Sequence, residues 1–531
     1  MSSHGDRFVT AARTHADTVL KDARDRWGSY RTPLLADGLH LDSREPVTWV
    51  QDGRQWILSN PASQQNFLRV LSGLERLGSG ASYRNAGQEI TRYVMRHMRL
   101  GDMMWWGAHC TADLLQKRLV FCSDGSVYPR HELERCFPFY ELMNEIDPKE
   151  TRRIIEATWE QHMCDWSVLS FNRHNISNLP PGRAPDVSLW DNAYTGGPFT
   201  SERFTFMPAG IDLAYSAAML HRFSGDERPL LWSRRLVSCY MQAAHPSTGL
   251  PVYLYNASYR PKSTTRPERP DRAATQLGPE VGEAVEERSV WMPRQAREAL
   301  YCFIALMELS STIDEPWFAR SAVLGLKAFA AHVFDARDGL LHPVLTDGTR
   351  LTGLVLQRDG YFGARGTTLK AQFADGPALL AFAQGYRHSE DPLLWEACAV
   401  LTTRLKLGCL GPPGGSGFEP NRRCASSEPL ALLAMIALHR ATGRPAFLEL
   451  AEQIGDNMME KRLRTGLFVA PGQCYARIDA LDPLALLHLA QALEGMRSDM
   501  PVWFGGRGRF HARYDGRGRT TDSALFYDLR N

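Results

Sequence analysis

Apolar positions recur three and four residues apart over most of the chain from about residue 205 onward, which is the period of an amphipathic helix. One local unit repeats: an apolar helix, a short polar turn, and a second helix that opens near a proline. Proline suits the first turn of a helix because its missing N–H has no intrahelical partner there. The pattern predicts four such hairpins and one further inner helix, over Asp212–Gln242, Ala299–Val333, Pro377–Leu405, Glu428–Glu460 and Asp482–Met496.

The hairpins are irregularly spaced, with insertions of varying length between them, unlike the fixed period of a solenoid. This spacing favours an all-α dominated (α/α) toroid, a ring of helical hairpins with short β-containing loop insertions. We expect a single (α/α)-barrel catalytic domain over residues 1–531, with a helical and loop segment over 1–80 packed on it and a C-terminal tail over 505–531 near the cleft. A helical-repeat scaffold without chemistry is the alternative that the pattern leaves open.

Composition and charge exclude some classes of protein. The chain is 44% hydrophobic and 23% charged, as ordinary globular proteins are. The formal net charge is only +2, so no strong field points to nucleic acid. No apolar run approaches the ~18 residues of a membrane span. We therefore expect neither nucleic acid nor a membrane as a partner.

The N-terminus and the cysteines bear on location. The stretch MSSHGDRFVTAARTHADTVLKDARDRW lacks the apolar segment of a secretory signal. We therefore expect a cytoplasmic location, or a periplasmic one if a signal peptide has been removed. The ten cysteines form no CxxC pair, which is typical of reduced, packed thiols. A zinc site is disfavoured because no compact zinc module has the separations of Cys110, Cys122, Cys136 and Cys164.

The densest group of chemically competent side chains lies between Trp105 and Asn175. It consists of His109 in WWGAHC, His131, Glu132 and Glu134 in PRHELERC, and Arg173 and His174 in SFNRHNISN. Imidazoles and a carboxylate suit Mn, Zn or Fe better than Ca or Mg. Spacing alone also allows packed histidines, and acidic residues that occupy the first turn of a helix.

Several motifs together resemble the family 2 pectate lyases. They are WWGAHC, then HELE with CFPFYELMNEIDPKETRRIIEATWEQHMCDWSVLSFNRHN, then FTFMPAGIDLAYSAAML, then DRAATQLGPEVGE. The resemblance is strongest from about residue 80 to about residue 310 and continues more loosely through the hairpins. It implies an (α/α) barrel that cleaves polygalacturonate by β-elimination.

The resemblance also implies roles for individual residues. Arg173 would be the Brønsted base, and His109, Glu132 and His174 would hold a divalent metal, with manganese suggested and calcium or magnesium possible alternatives. Glu132 is chosen over Glu134 because it directly follows the histidine of the HEL motif. Arginine normally stays protonated, so its use as a base requires surroundings that disfavour the cation.

The implied partner is polygalacturonate or its oligogalacturonides, whose carboxylates guanidinium groups bind in a bidentate manner. The substrate-binding residues that we expect are Arg272, Gln276, Trp105, Tyr514 and Arg517. We expect Asn172 and Asn175 to orient the Arg173–His174 pair.

Two other functions remain open from the sequence. A glycoside hydrolase or sugar epimerase could use the same toroid, and a hydrolase needs two carboxyl groups flanking the bond. Candidates for those carboxyl groups are Asp191, Asp212, Glu280 and Glu283. The other function is a uronate-binding relative without catalysis.

Overall fold

A computed structural model describes residues 4–51, 54–121, 131–175, 188–196, 205–255, 273–278, 281, 289–495 and 500–506. Helices dominate these residues, and the strands are short. The α-helices are α1 Asp6–Asp22, α2 Gln65–Arg76, α3 Ala81–His97, α4 Tyr140–Ile146, α5 Pro148–His162, α6 Met207–Ser224, α7 Glu227–Gln242, α8 Ala274–Leu277, α9 Pro293–Ile313, α10 Pro316–Ala328, α11 Gly376–Ser389, α12 Pro392–Arg404, α13 Pro429–Thr442, α14 Pro445–Arg462 and α15 Asp482–Leu493.

The strands form small antiparallel sheets of two to four strands. They are β1 Gly38–His40, β2 Thr48–Gln51, β3 Arg54–Ser59, β4 Arg99–Leu100, β5 Met103–Met104, β6 Cys110–Asp113, β7 Arg118–Phe121, β8 Met163–Asp165, β9 Ser170–Phe171, β10 Thr205–Phe206, β11 Leu254–Tyr255, β12 Val290–Trp291, β13 Phe334–Asp335, β14 Leu340–Leu341, β15 Val344–Leu345, β16 Gln372–Phe373, β17 Gly408–Cys409, β18 Glu419–Pro420, β19 Leu463–Arg464, β20 Leu467–Phe468 and β21 Tyr475–Arg477. The largest sheet has the order β2-β3-β6-β7.

The chain divides into two compact units. The first draws on Met1–Thr158, Arg422–His439 and Pro445–Asn531, and the second on Trp159–Asn421 and Arg440–Arg444. In the first unit, α15 packs against α1, α2 and α14. In the second, α6 pairs with α7, α9 with α10 and α11 with α12, while α6, α9 and α11 pack side by side.

The helix-dominated (α/α) hairpin class with short β insertions is therefore confirmed. The first helix of a hairpin is buried over most of its length, as α11 is from Gly376 to Tyr386. Close approach is possible partly because of small residues. A Cβ at Gly210 of α6 would lie 2.4 Å from the hydroxyl oxygen of Tyr240 in α7.

Acidic N-caps followed by proline start α10 and α12, the second helices of two hairpins. The Glu315 side chain accepts from the N–H of Trp317 at 2.9 Å, and that of Asp391 accepts from Leu393 at 3.0 Å. A carboxylate there satisfies an N–H that has no helical partner and suits the helix dipole. The first helices begin earlier than predicted, α6 at Met207 and α9 at Pro293. Proline in the first turn extends a helix that the apolar period alone places later.

Among the described residues, none of the helices combines the length and the apolar character that crossing a membrane requires. Nine described cysteines are free thiols, and six of them are buried, as expected for packed thiols. Cys122 lies outside the described residues. The organisation into one catalytic domain with a segment over 1–80 and a tail over 505–531 stays a prediction.

Candidate active site

His109, Glu132 and Glu134 form a buried cluster in the first unit. Nδ1 of His109 lies 2.9 Å from Oε2 of Glu132. One ligand atom from each of the three residues lies within 4.8 Å of the others. The residues are 5%, 0% and 9% exposed, respectively. The structure thus brings together the predicted pair His109 and Glu132, and it adds Glu134.

Backbone contacts explain why the two motifs meet. The N–H of Glu132 donates to the carbonyl of Trp106 at 2.8 Å, which ties HELE to WWGAHC. Gly107 has φ +137°, and a Cβ there would lie 2.5 Å from Cβ of Glu132. Glycine is required at this position on both counts, because other residues rarely adopt this conformation and none has room. His109 directly precedes β6 of the largest sheet, which holds it in place.

The cluster has the chemistry of a cation site. Two buried carboxylates beside one imidazole are costly unless protons or a cation compensate their charge. Ligand atoms bound to one metal at 2.0–2.2 Å and at right angles lie roughly 3 Å apart. The 2.9 Å separation of His109 Nδ1 and Glu132 Oε2 fits that spacing. Mixed imidazole and carboxylate donors suit Mn²⁺, Zn²⁺ or Fe²⁺.

Arg173 and His174 lie together in the second unit, directly after β9 and Asn172. Nε of Arg173 donates to Nε2 of His174 at 3.3 Å, and both side chains are half-buried. The guanidinium carbon lies 5.6 Å from the centre of the Phe206 ring. The N–H of His174 donates to Oδ1 of Asn172 at 3.3 Å. That Asn172 and Asn175 orient the Arg173–His174 pair stays a prediction.

His162 supports the same segment through two hydrogen bonds to the backbone of Asn172. Its Nδ1 donates to the carbonyl of Asn172 at 2.7 Å, and the N–H of Asn172 donates to the His162 carbonyl at 2.9 Å. Complete burial, with a smaller contribution from His174, lowers the pKa of His162 to about 4. The imidazole is therefore neutral at pH 7, and it serves as a fixed support for the FNRHN turn.

Two predicted substrate-binding residues are engaged elsewhere. Trp105 is 2% exposed, and its indole N–H donates to the carbonyl of Thr111 at 3.0 Å, so its ring lies in the core. Gln276 is 7% exposed and binds the backbone of the 358–363 loop. Its amide donates to the carbonyls of Arg358 and Gly363 at 3.2 and 2.7 Å and accepts from the N–H of Phe362 at 2.8 Å. Arg272, Tyr514 and Arg517 lie outside the described residues, and their roles stay predictions.

Two of the four carboxylates considered for hydrolysis, Asp191 and Asp212, lie among the described residues. Oδ1 of Asp191 accepts from Arg228 at 3.0 Å, while Asp212 is buried within α6. Glu280 and Glu283 lie outside the described residues. A second acidic group, Asp335 with Asp338 and His342, already has cationic partners. Arg337 and Arg350 each lie 2.7 Å from Oδ2 of Asp335, and the Arg337 guanidinium holds the pKa of that carboxyl far below its usual range.

Comparison with known proteins decides the family. A family model described as periplasmic pectate lyase matches residues 32–513. The chain belongs to this family. It is a polysaccharide lyase of the pectate lyase type, as the motifs predict.

The similarity of individual proteins to this chain ranges from moderate sequence identity to remote structural likeness. A pectate disaccharide-lyase of Dickeya dadantii (strain 3937) is 27% identical over 541 residues, which covers 98% of this chain and 95% of that protein. An α-1,2-mannosidase from Trichoderma reesei matches with TM-score 0.47 and 10% identity, over 97% of this chain and 99% of that one. A D-mannose isomerase matches with TM-score 0.44 and 11% identity, over 92% and 97%. Structural matches this weak carry no activity over to the pectate lyase.

The expected cytoplasmic location is wrong. The family is described as periplasmic, which points to that compartment. The expectation rested on the lack of an apolar signal segment in the first residues, and this observation does not decide the compartment. Free thiols did not discriminate either, because buried thiols stay unpaired wherever no second cysteine lies close enough.

Proposed function

We propose that the pectate lyase cleaves polygalacturonate and oligogalacturonides by metal-assisted β-elimination. The observation that carries the proposal is the buried cluster of His109, Glu132 and Glu134, in a chain whose family acts on pectate. The cluster supplies carboxylate and imidazole ligands, and a bound cation would compensate the charge of the buried carboxylates. The FNRHN motif supplies a base beside a further imidazole.

His109 and Glu132 are the ligands that we assign to a divalent metal, with manganese as the first candidate. We also assign Glu134 to that set, because one of its carboxylate oxygens lies within 4.8 Å of the other two ligand atoms. His174 is assigned as a further ligand on its sequence motif. When bound, the ion would supply a Lewis acid that neutralises a uronate carboxylate next to the scissile bond.

Arg173 is assigned as the base. Elimination removes the C5 proton of a uronate residue, forms the C4–C5 double bond and breaks the C4–O bond to the departing chain. The leaving oxygen takes a proton from solvent. Arg173 must present a neutral nitrogen for this step. Asn172 and His162 hold the backbone on which Arg173 stands.

Product chemistry tests this assignment against hydrolysis. Wild-type protein is incubated with polygalacturonate and Mn²⁺, and the products are followed by ultraviolet absorbance and mass. A lyase leaves an unsaturated uronate end on one product, which absorbs in the ultraviolet. A hydrolase adds water and leaves saturated ends on both products, a result that would refute the elimination chemistry.

A further inference from the structure

Asn60 holds the backbone of the turn that carries His109 by hydrogen bonds from its side chain. It is completely buried at the end of β3, just before the 3₁₀ turn Pro61–Ser63. Its Nδ2 donates to the carbonyls of Gly107 and Ala108 at 3.2 and 2.8 Å. These are the two peptide groups immediately before His109.

The peptide plane between Ala108 and His109 is held from both sides. Its carbonyl accepts from Asn60, and its N–H points to Oε2 of Glu132 at 3.4 Å. A fixed peptide plane fixes the backbone from which the imidazole projects. The same Oε2 of Glu132 lies 2.9 Å from Nδ1 of His109, so one carboxylate contacts both the backbone and the side chain of His109.

Asn60 is itself oriented by its remaining contacts. Its Oδ1 accepts from the N–H of Ala62 at 3.0 Å, and its N–H donates to Oδ1 of Asp37 at 2.7 Å. Gln64 donates to the same Asp37 oxygen at 2.8 Å. With both amide hydrogens and the amide oxygen engaged, the side chain has a single orientation.

We propose that Asn60 is a positioning residue that sets the affinity of the His109 site for a divalent ion. The inference rests on the proposed function, because it assumes that His109 and Glu132 hold the ion. Partners that orient metal ligands are typically worth 10–100-fold in metal affinity. Nothing in the local sequence marks Asn60, since 47 residues separate it from the carbonyl of Gly107.

The test uses Asn60→Ser in the full chain. Serine is a good N-cap and keeps an acceptor for the N–H of Ala62, so the turn after residue 60 is preserved. It loses both donors to Gly107 and Ala108. Asn66→Ser is the matched control, because Asn66 is also a buried amide of the first unit but contacts Asp479 instead.

Mn²⁺ affinity is measured by titration calorimetry for wild type, both serine variants and His109→Ala. We expect Asn60→Ser to weaken Mn²⁺ binding by about tenfold or more, whereas Asn66→Ser leaves it unchanged. Activity lost in Asn60→Ser should return at high Mn²⁺, as a defect of affinity requires. Equal Mn²⁺ affinity in the two serine variants would overturn the inference.

A second measurement needs no metal. Hydrogen exchange of the backbone amides over 106–113 should be faster in Asn60→Ser than in wild type and unaltered in Asn66→Ser. Unchanged exchange in Asn60→Ser would also overturn the inference. Wild-type protein that binds no Mn²⁺, or that binds it equally after His109→Ala, would instead refute the metal site of the proposed function, and exchange would then still decide whether Asn60 fixes the turn.

Discussion

Nδ1 of His109 lies 2.9 Å from Oε2 of Glu132, and both side chains are buried between motifs that are 23 residues apart. Glu134 joins them within 4.8 Å. Removing one of several interacting charged or polar side chains from a buried site leaves the charge of the remaining ones poorly compensated. Single substitutions can therefore rank the three residues by their contribution to Mn²⁺ binding.

Glu132→Gln is expected to weaken Mn²⁺ binding more than Glu134→Gln does, because Glu132 contacts both Nδ1 and the N–H of His109. Each glutamine keeps the size of the side chain and removes its charge. Titration of each variant with Mn²⁺ gives the ranking. A larger loss in Glu134→Gln would move the centre of the site to Glu134 and contradict the choice of Glu132.

Arg173→Ala should lose about 10²–10⁴-fold in kcat, which is the usual worth of a general base. Its unfolding midpoint should stay close to that of wild type because the side chain is only half-buried. Arg235→Ala is the control, since Arg235 is also half-buried in the second unit and lies 4.7 Å from the Tyr194 ring centre. Equal activity in the two variants would remove Arg173 from the chemistry.

Gln276→Ala should lower stability and leave KM for oligogalacturonides unchanged. The amide binds three backbone groups of the 358–363 loop, and leaving buried groups unsatisfied costs about 1–3 kcal/mol. Thermal unfolding checks the predicted loss of stability, and initial rates on the same samples check that KM is unchanged. A raised KM with an unaltered midpoint would restore the predicted substrate contact.

Stability should fall as pH rises from about 4 to about 7, partly because of Asp479. Burial raises the pKa of this carboxyl to about 7, although Arg477 and the N–H groups of Phe67 and Asn66 lower it. The folded state therefore holds a proton that the unfolded chain releases near pH 4, and stability declines until the folded protein also releases it.

Asp479→Asn should reduce the dependence of the free energy of unfolding on pH. The amide oxygen can still accept from the N–H groups of Asn66 and Phe67, but the amide does not titrate. Urea unfolding between pH 4 and pH 7 measures the slope, with Asp42→Asn as an exposed control. An unchanged slope in Asp479→Asn would show that this carboxyl is ionised throughout the range.

Gly210→Ala tests the packing of the helical hairpins. The added methyl group would meet the Tyr240 ring and hydroxyl at 2.4 to 2.7 Å, so α6 and α7 must move apart. Overpacking of this kind costs about 1–3 kcal/mol. Gly225→Ala in the loop between the helices has open space but φ +69°, so it should cost less and only through the backbone.

The helices were predictable because their apolar period and their prolines are local signals. The pairing of His109 with Glu132 came from the motifs and is confirmed as a contact. Glu134 was visible in HELE and was ranked below Glu132 on the motif, and only the fold shows that it lies with His109 and Glu132. Asn60 and Asp37 could not be found, since a single asparagine and a single aspartate give no local pattern and act through contacts far along the chain. The loop contacts of Gln276 could not be found for a related reason, because its partners lie more than 80 residues away.

Chelation and metal replacement test the central claim most directly. Wild-type protein is assayed on polygalacturonate by ultraviolet absorbance with Mn²⁺, after chelation, and after Mn²⁺ is returned. We predict a rise in absorbance that chelation abolishes and added Mn²⁺ restores, with no rise from His109→Ala. An undiminished rise after chelation, or from His109→Ala, would contradict a metal held by His109 and Glu132.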